Sequence, residues 1–424
     1  MNYTIGFDIG STNVKGVLLS ENAEIIEKSS VKFEYDYPKE NYVEIGADKF
    51  IESCLKVLSE LKAALPEGGK ITGISEASAS GNLLLLDSDF KPITPIYNWQ
   101  DMRVTDEVSK VLGEDFDFQK YYESTGWQLG TQFALAELCY IKYHNPELLE
   151  KASMVCMSTE YLNYVLTGKF AIAPSAGTPF FLIDQRTRTY NKEVLDKLGI
   201  TKDMLPPIMK TGELLGDVLP AFGLGDAKVY LGTFDHPSGA MSTGVTEEGT
   251  MLLSCGTSWV AFMPIMDRSV IIENNFLCDP FLSENGGPWG AMCSIPSISS
   301  SIDKYIEKFI SSESDRFIKL ADYAKESENG SGGLILSSDK EPDISGYTKG
   351  NIACAIMEMP ARLLKEQLKV FMAKGIKFKK VYMAGGPTKS DIWVKITEQV
   401  LGMSASISNA EFSGAVGSAM LARK

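Results

Sequence analysis

Four short stretches of this chain combine glycine, hydroxyl and carboxylate residues at spacings that could handle phosphate. The first is 5–19, Ile-Gly-Phe-Asp8-Ile-Gly10-Ser11-Thr12-Asn-Val-Lys15-Gly-Val-Leu-Leu. Two apolar runs flank a polar turn, so a β-hairpin is expected. Gly10 lets the backbone approach an anion, while amides and the Ser11 and Thr12 hydroxyls supply short donors. Asp8 adds a carboxylate suited to Mg²⁺, usually through the metal's water shell. The alternative is an ordinary hairpin whose turn is polar because turns are polar. No Gly-Lys-Ser/Thr leads into a helix, so this is not a Walker loop.

The second stretch, 232–240, places Asp235 and His236 after an apolar strand and before a helix of small residues. A carboxylate there could accept a proton from a hydroxyl as it attacks a γ-phosphorus. It could equally cap the helix. The third, 254–258, holds Gly256 and Thr257 in a second glycine turn between strand-like runs. In the fourth, 383–393, a strand ends in Gly385 and Gly386 and a helix follows. Bare backbone there would let an adenine ring lie close, with Thr388 and Ser390 nearby. Strand-glycine-helix turns are common in α/β folds, so each of the last two is weak alone.

The elements that must carry these turns alternate between strand and helix patterns. Strands are expected at 4–8, 14–19, 24–32, 71–74 and 83–87, and a helix at 47–64 with Phe50, Ile51, Cys54, Leu55, Leu58 and Leu61 at helical spacing. Helices are expected again at 131–143, ended by Pro146, and at 158–166 before Gly168. The second half restarts the grammar with strands at 250–254 and 259–264, helices at 301–310, 352–373 and 391–401, a strand at 381–384 and a small-residue helix at 414–421. The Ser-, Glu- and Gly-rich 311–333 reads as a surface excursion, and the halves divide near 244–249. Two strand-turn-strand loops in two halves point to a duplicated α/β architecture with a cleft between domains.

Bulk properties narrow the classes. A 424-residue chain holds two or three domains. Its formal charge of −14 disfavours nucleic acid or an anionic membrane as a partner. Seven cysteines with no CxxC pair give neither a disulfide framework nor a zinc site, and two histidines exclude a multi-histidine metal centre. The start enters a strand pattern with no basic leader, and no apolar run approaches a membrane span, so a cytoplasmic protein is expected.

The order of the stretches (phosphate hairpin, acidic strand end, second phosphate hairpin, Gly-Gly turn) resembles the actin-like ATPase fold, and more narrowly the FGGY carbohydrate kinases, including the xylulose, glycerol and gluconate types. Asn98-Trp99-Gln100-Asp101-Met102-Arg103 resembles that family's Trp-x-Asp-x-Arg segment. Ser124-Thr125-Gly126 with 134–146, 161–168, Asp184-Gln-Arg-Thr187 and Leu205-Pro-Pro207 resemble further blocks. The resemblance covers most of 3–265 and then 381–422, leaving 266–380 poorly matched. It implies two actin-like (ribonuclease H-like) domains, 1–245 on the sugar side and 246–424 on the nucleotide side. It implies ATP-dependent transfer of the γ-phosphoryl group to a hydroxyl of a small sugar, polyol or sugar acid, with ATP and Mg²⁺. Asp235 would be the general base and Asp8 would help place Mg²⁺, most simply through water. Gly10, Ser11, Thr12, Lys15, Gly256 and Thr257 would meet phosphate, and Gly385, Gly386 and Ser390 would border adenosine. Trp99, Asp101 and Arg103 would approach the polyol, though Asp101 and Arg103 could instead form a structural pair. Family members are often homodimers, but no interface is legible here.

Two departures from the family's text bear on the substrate. Ser78-Ala79-Ser80-Gly81-Asn82 stands where many ketose kinases carry Gln-Met-His or a similar run, and His236 follows the expected base. His236 could contact a substrate hydroxyl, orient Asp235, or face neither. A substrate name therefore does not transfer. The alternative function is a catalytically silent actin-like nucleotide- and sugar-binding sensor, which retention of Asp235 and both loops argues against. An iron–sulfur-carrying ATPase activator of the same superfamily is disfavoured by the absence of paired cysteines.

Overall fold

Strand β1 (Asn2–Ile9) alternates Tyr3, Ile5, Phe7 and Ile9 toward one face, with Thr4, Gly6 and Asp8 on the other. The computed structural model, which describes residues 1–337, 342–408 and 411–423, builds a seven-stranded sheet around it. The other strands are β2 (Asn13–Ser20), β3 (Ile25–Lys32), β4 (Lys70–Ser78), β5 (Leu214–Asp217), β6 (Lys228–Tyr230) and β7 (Thr233–Phe234). Their order is β5-β6-β4-β1-β2-β3, with β7 also on β4. β1 runs antiparallel to β2 and parallel to β4. Helix α1 (Ala47–Ala63) buries Phe50, Cys54, Val57, Leu58 and Leu61 in the same core as Ile5 and Phe7. Each such large apolar side chain contributes about 1.5–3 kcal/mol on burial. Helices α2 (Ser158–Thr167) and α3 (Asp235–Thr243) follow in chain order.

The second sheet repeats the pattern. It contains β8 (Thr250–Cys255), β9 (Trp259–Ile265), β10 (Trp289–Ile295), β11 (Lys380–Gly385) and β12 (Ser404–Ile407), in the order β10-β9-β8-β11-β12. β8 pairs antiparallel with β9 and parallel with β11. Helices α4 (Ile298–Phe309), α5 (Arg316–Glu326), α6 (Lys349–Ala373) and α7 (Asp391–Leu401) accompany it. The 311–333 stretch, expected as a surface excursion, contains α5, whose Leu320 and Ala324, one turn apart, are both buried. A reciprocal Thr348–Asn351 capping box starts α6.

The last helix, α8 (Ser413–Leu421), packs on β1, β2 and β4. Only a small-residue helix can do so. A Cβ on Gly6 would lie 1.9 Å from the Ala415 carbonyl oxygen, and one on Gly417 would lie 2.0 Å from the Ser238 oxygen. The chain therefore does not divide at one cut between 245 and 246. One unit holds Met1–Ser242, Leu277–Gly287 and Phe412–Lys424, and the other holds Thr243–Phe276 and Pro288–Glu411. All seven cysteines are buried and none is in a disulfide, as suits small apolar residues. No helix among the described residues is long and apolar enough to cross a membrane.

Candidate active site

The β1–β2 turn is held from several sides. The Gly10 amide donates to the Asn13 carbonyl (3.0 Å), the Phe33 amide donates to the Thr12 carbonyl (3.0 Å), and Trp99 Nε1 donates to Ser11 Oγ (2.9 Å). The Trp99 ring stacks on Phe133 with centroids 6.1 Å apart. Lys15 lies directly across the strand pair from Asp8, its Nζ 5.7 Å above the Phe412 ring.

Asp8 ends the β1 face on which α8 packs. A Cβ on Gly414, in the first turn of α8, would come 2.7 Å from Asp8 Cγ, so a glycine is required for the helix end to reach the carboxylate. A helix N-terminus favours negative charge there. Ser238 Oγ donates to the Gly414 carbonyl (2.7 Å), tying α3 to the same helix end. Asp235 opens α3, and its Oδ1 accepts from the His236 amide (2.7 Å). That bond comes from the very next amide and not from the second or third helical amide that a cap serves, and Asp235 is close enough to Asp8 for their charges to interact. Burial first, then Asp235, push the Asp8 carboxyl up to about 7, while Lys15 pulls it down. Burial raises Asp235 too, with His236 opposing. The His236 ring meets Phe234 edge-on at 5.6 Å.

Behind Asp235 lies a carboxylate that the sequence reading missed. Asp279 is fully buried, and burial pushes its carboxyl up to about 7. Both its oxygens stand 3.0 Å from Ser175 Oγ, and the Phe234 amide donates to that same hydroxyl oxygen (3.3 Å). The one sequence signal was an aspartate inside the apolar run Phe276-Leu-Cys-Asp279-Pro-Phe281.

Asp101 and Arg103 take the structural-pair alternative. Asp101 is fully buried, accepting from the Val43 amide (2.7 Å) and from Arg103 Nε and NH2 (2.9 and 2.7 Å). The guanidinium also bonds Glu44 and sits 4.1 and 4.2 Å from the Tyr42 and Tyr97 ring centroids, with only 4% of the side chain exposed. Glu137 lies 3.6 Å away, its carboxyl pushed well up by burial. All of Arg103's charge is thus engaged inside this network, which braces the segment that delivers Trp99. The rebuilt run 78–82 is inward-looking as well. Asn82 exchanges hydrogen bonds with Ser158 at the start of α2 (2.9 and 2.7 Å), and the adjoining void of about 20 Å³ has room for one water.

In the second unit, Gly256, Gly386 and Ser390 line a cavity of about 650 Å³ walled by Trp259, Trp393, Phe317 and Ile318. Gly385 and Thr257 are not in its wall. Gly385, at φ +106°, is needed where β11 meets β8, because a Cβ would lie 2.3 Å from the Cys255 carbonyl oxygen. Ser299 Oγ donates to the Gly256 carbonyl (2.7 Å), and the Ser299 amide donates to the Thr257 carbonyl (3.2 Å). Ser390 Oγ and Trp393 Nε1 are buried without a partner among the described residues.

These donors fit the groups in question. A largely apolar-walled cavity with two orphaned polar atoms suits a nucleoside. Asp8 is an oxygen donor held beside a second carboxylate, which suits a hard divalent ion. No cluster of three or more His, Cys, Asp or Glu among the described residues could hold a metal by itself. Such an ion would need water and phosphate for its other ligands.

Comparison with known proteins places the chain. The model of the FGGY family of carbohydrate kinases, N-terminal domain, matches residues 3–241. Xylulose kinase from Bacillus subtilis (strain 168) is 24% identical over 446 residues, covering 100% of this chain and 88% of that protein. The crystal structure of xylulose kinase from Rhodospirillum rubrum superposes with a TM-score of 0.89 at 22% identity, covering 99% of this chain and 90% of the other. Gluconate kinase from Lactobacillus acidophilus gives 0.85 at 20% identity, covering 100% and 89%. The α/β fold is therefore the two-domain actin-like fold of these kinases.

Proposed function

The chain belongs to the FGGY family of carbohydrate kinases, and from that premise we propose that Asp235 is the general base and Asp8 the carboxylate that orients Mg²⁺. As a carbohydrate kinase it is a phosphotransferase that uses a small sugar-like acceptor. The observation that carries the assignment is the convergence of β1, α3 and α8, which brings Asp8 and Asp235 within electrostatic reach of each other.

In the proposed reaction an acceptor hydroxyl donates its hydrogen bond to Asp235 and gives up its proton as its oxygen attacks the γ-phosphorus of ATP. ADP leaves, and the phosphoryl group is carried by the acceptor oxygen. Oδ1 of Asp235 is fixed by the His236 amide, which leaves Oδ2 to receive the proton. Asp8 would hold Mg²⁺, which would supply charge neutralisation at the phosphates. Gly10, Ser11 and Thr12 offer donors to the β- and γ-phosphates, with Lys15 adding positive charge, and Gly256 and Thr257 do the same from the second unit. Gly386 and Ser390 border adenosine, while Gly385 shapes the turn that presents them. Trp99 and His236 flank the acceptor. Arg103 is engaged by Asp101, Glu44 and Glu137, so we assign it no contact with an acceptor carboxylate. Asp235 must be ionised to act, and its carboxyl is raised. Turnover should therefore fall as the medium is acidified.

The test is acceptor-dependent ADP release with Mg·ATP across ketoses, aldoses, polyols and sugar acids. Asp235→Asn should lower kcat about 10³-fold, within the range for a general base, with nucleotide binding by calorimetry unchanged. A variant that turns over like the parent removes Asp235 from the role.

A further inference from the structure

We propose that Asp279 is a positioning residue for the base, holding the Thr233–Phe234 peptide, the one before the base, in place through Ser175. The inference rests on the reading of Asp235 given above.

A hydroxyl has one proton. With both Asp279 oxygens 3.0 Å away and the Phe234 amide 3.3 Å away, the Ser175 proton must point to the carboxylate and a lone pair must face Phe234. Above about pH 7, where Asp279 is ionised, it cannot donate, and the direction of the chain is set: Phe234 N–H to Ser175, Ser175 O–H to Asp279. The next peptide begins α3 and carries Asp235. Asp279 is itself fixed, since its Oδ1 accepts from the Phe281 amide (2.7 Å). Asp279 and Ser175 are both fully buried, so the chain has no water to compete with.

A merely structural role is less able to explain this aspartate. The segment Leu277–Gly287 is already fastened to the first unit by other bonds. The Cys278 amide donates to the Gly126 carbonyl (2.9 Å), Gln185 Nε2 donates to the Cys278 carbonyl (2.7 Å), and the Thr211 amide donates to Glu284 Oε2 (3.1 Å). No Lys, Arg or His among the described residues pairs with Asp279. The charged groups that act on it are Glu284 and Asp235, both anionic. A buried carboxylate without a counter-ion destabilises a fold, and such groups concentrate at functional sites. The arrangement is understandable if its product is the placement of Asp235, where an error of about 1 Å costs on the order of 10²-fold in rate.

The experiment is a double-mutant cycle on the full chain with an acceptor found in the screen. Ser175→Ala and Asp279→Ala should each lower kcat by about 10²-fold, leaving the acceptor KM and calorimetric ADP binding nearly unchanged. Because both break one chain, the double variant should be no slower than the slower single. Asp279→Asn keeps an acceptor for Phe281 and a partner for Ser175, and should restore most of the loss seen with Asp279→Ala. Should Asp279→Ala fail to fold, Ser175→Ala and Asp279→Asn carry the test. Losses that multiply in the double variant, or a folded Ser175→Ala with parental kcat, overturn the proposal. Asp235→Asn in the same assay separates the two readings: if it retains turnover the base assignment fails, and if it alone is inactive only the positioning role fails.

Discussion

In the first unit residues 10–13 join Ile9 to Val14, and in the second residues 256–258 join Cys255 to Trp259. Both leading strands, β1 and β8, also pair in parallel with a later strand, β4 and β11. The two hairpins thus offer similar backbone amides at similar places. Their side chains differ. Asp8 and Lys15 face each other across the first hairpin, whereas in the second Ser254 faces Val260. The first turn is braced by Trp99, the second by Ser297 and Ser299 at the start of α4. On the function proposed above, one backbone device would serve binding in both units, and added charge would make only the first a place for chemistry.

Removing that charge should produce the largest effect on the comparison. Asp8→Asn keeps the size of the side chain and should lower kcat about 10²-fold or more, as loss of a transition-state electrostatic contact does, with acceptor affinity nearly intact. Ser254→Ala, the matching change in the second hairpin, should alter kcat by less than about threefold. Steady-state kinetics at saturating Mg·ATP compares them. Equal losses would mean that the two hairpins do the same job.

Next in size is the effect of covering the glycines. A Cβ at Gly10 would lie 3.4 Å from the Asn13 carbonyl oxygen, and one at Gly256 would lie 3.6 Å from the Ser258 oxygen. Neither position has a positive φ, so both alanine variants should fold, within about 1 kcal/mol of the parent. If phosphate oxygens approach both backbones, KM for ATP should rise about tenfold, one lost charge-assisted hydrogen bond's worth. Gly10→Ala should also reduce kcat, because its turn adjoins Asp8, while Gly256→Ala should not. A parental KM for ATP in both variants would separate these turns from the nucleotide.

Much of this was legible in the chain because its signals are local. The hairpins, the strand running into Asp235 and the Gly-Gly turn are each encoded within about a dozen residues by alternation, glycine and a helix start. What was not legible depends on contacts across long sequence separations. Helix α8 looked like the end of the second half, yet Gly414, Ala415 and Gly417 exist to let it touch β1 and Ser238, and its first turn shapes the setting of Asp8. Asp279 likewise reaches Ser175 across 104 residues. In the sequence Asp101 and Arg103 read as approaching the polyol, with a structural pair as the alternative; they form the pair, inside a buried network with Glu44, Glu137, Tyr42 and Tyr97 that no local motif announces. The helical period in α5 was hidden by its polar surroundings, where the buried positions are only Leu320 and Ala324.

The smallest expected effect concerns stability, and it follows from where the raised carboxyls lie. Asp8, Glu76 and Asp279 are pushed up to about 7 and Glu160 to about 8, each chiefly by burial, and all belong to the first unit. In the unfolded chain such groups release their protons near 4. Between that value and 7–8 the native state therefore binds more protons than the unfolded one, and stability falls as pH rises through the interval. Glu107 and Asp184 are shifted the other way. The stability they add is present above their ordinary values and is lost only on strong acidification, so it does not offset the trend. The ligand-free protein should accordingly melt several degrees lower at pH 8 than at pH 5 by scanning calorimetry, the first unit's transition moving most. Glu76→Gln should flatten the slope, because its partners, the Asn163 amide and the Gly232 amide, can still donate to an uncharged oxygen. A melting temperature that is level or rising across this range would show that these carboxyls are ionised in the fold at little cost. The proposed contrast between a charged first hairpin and an uncharged second one would then rest on the placement of Asp8 and Asp235 alone.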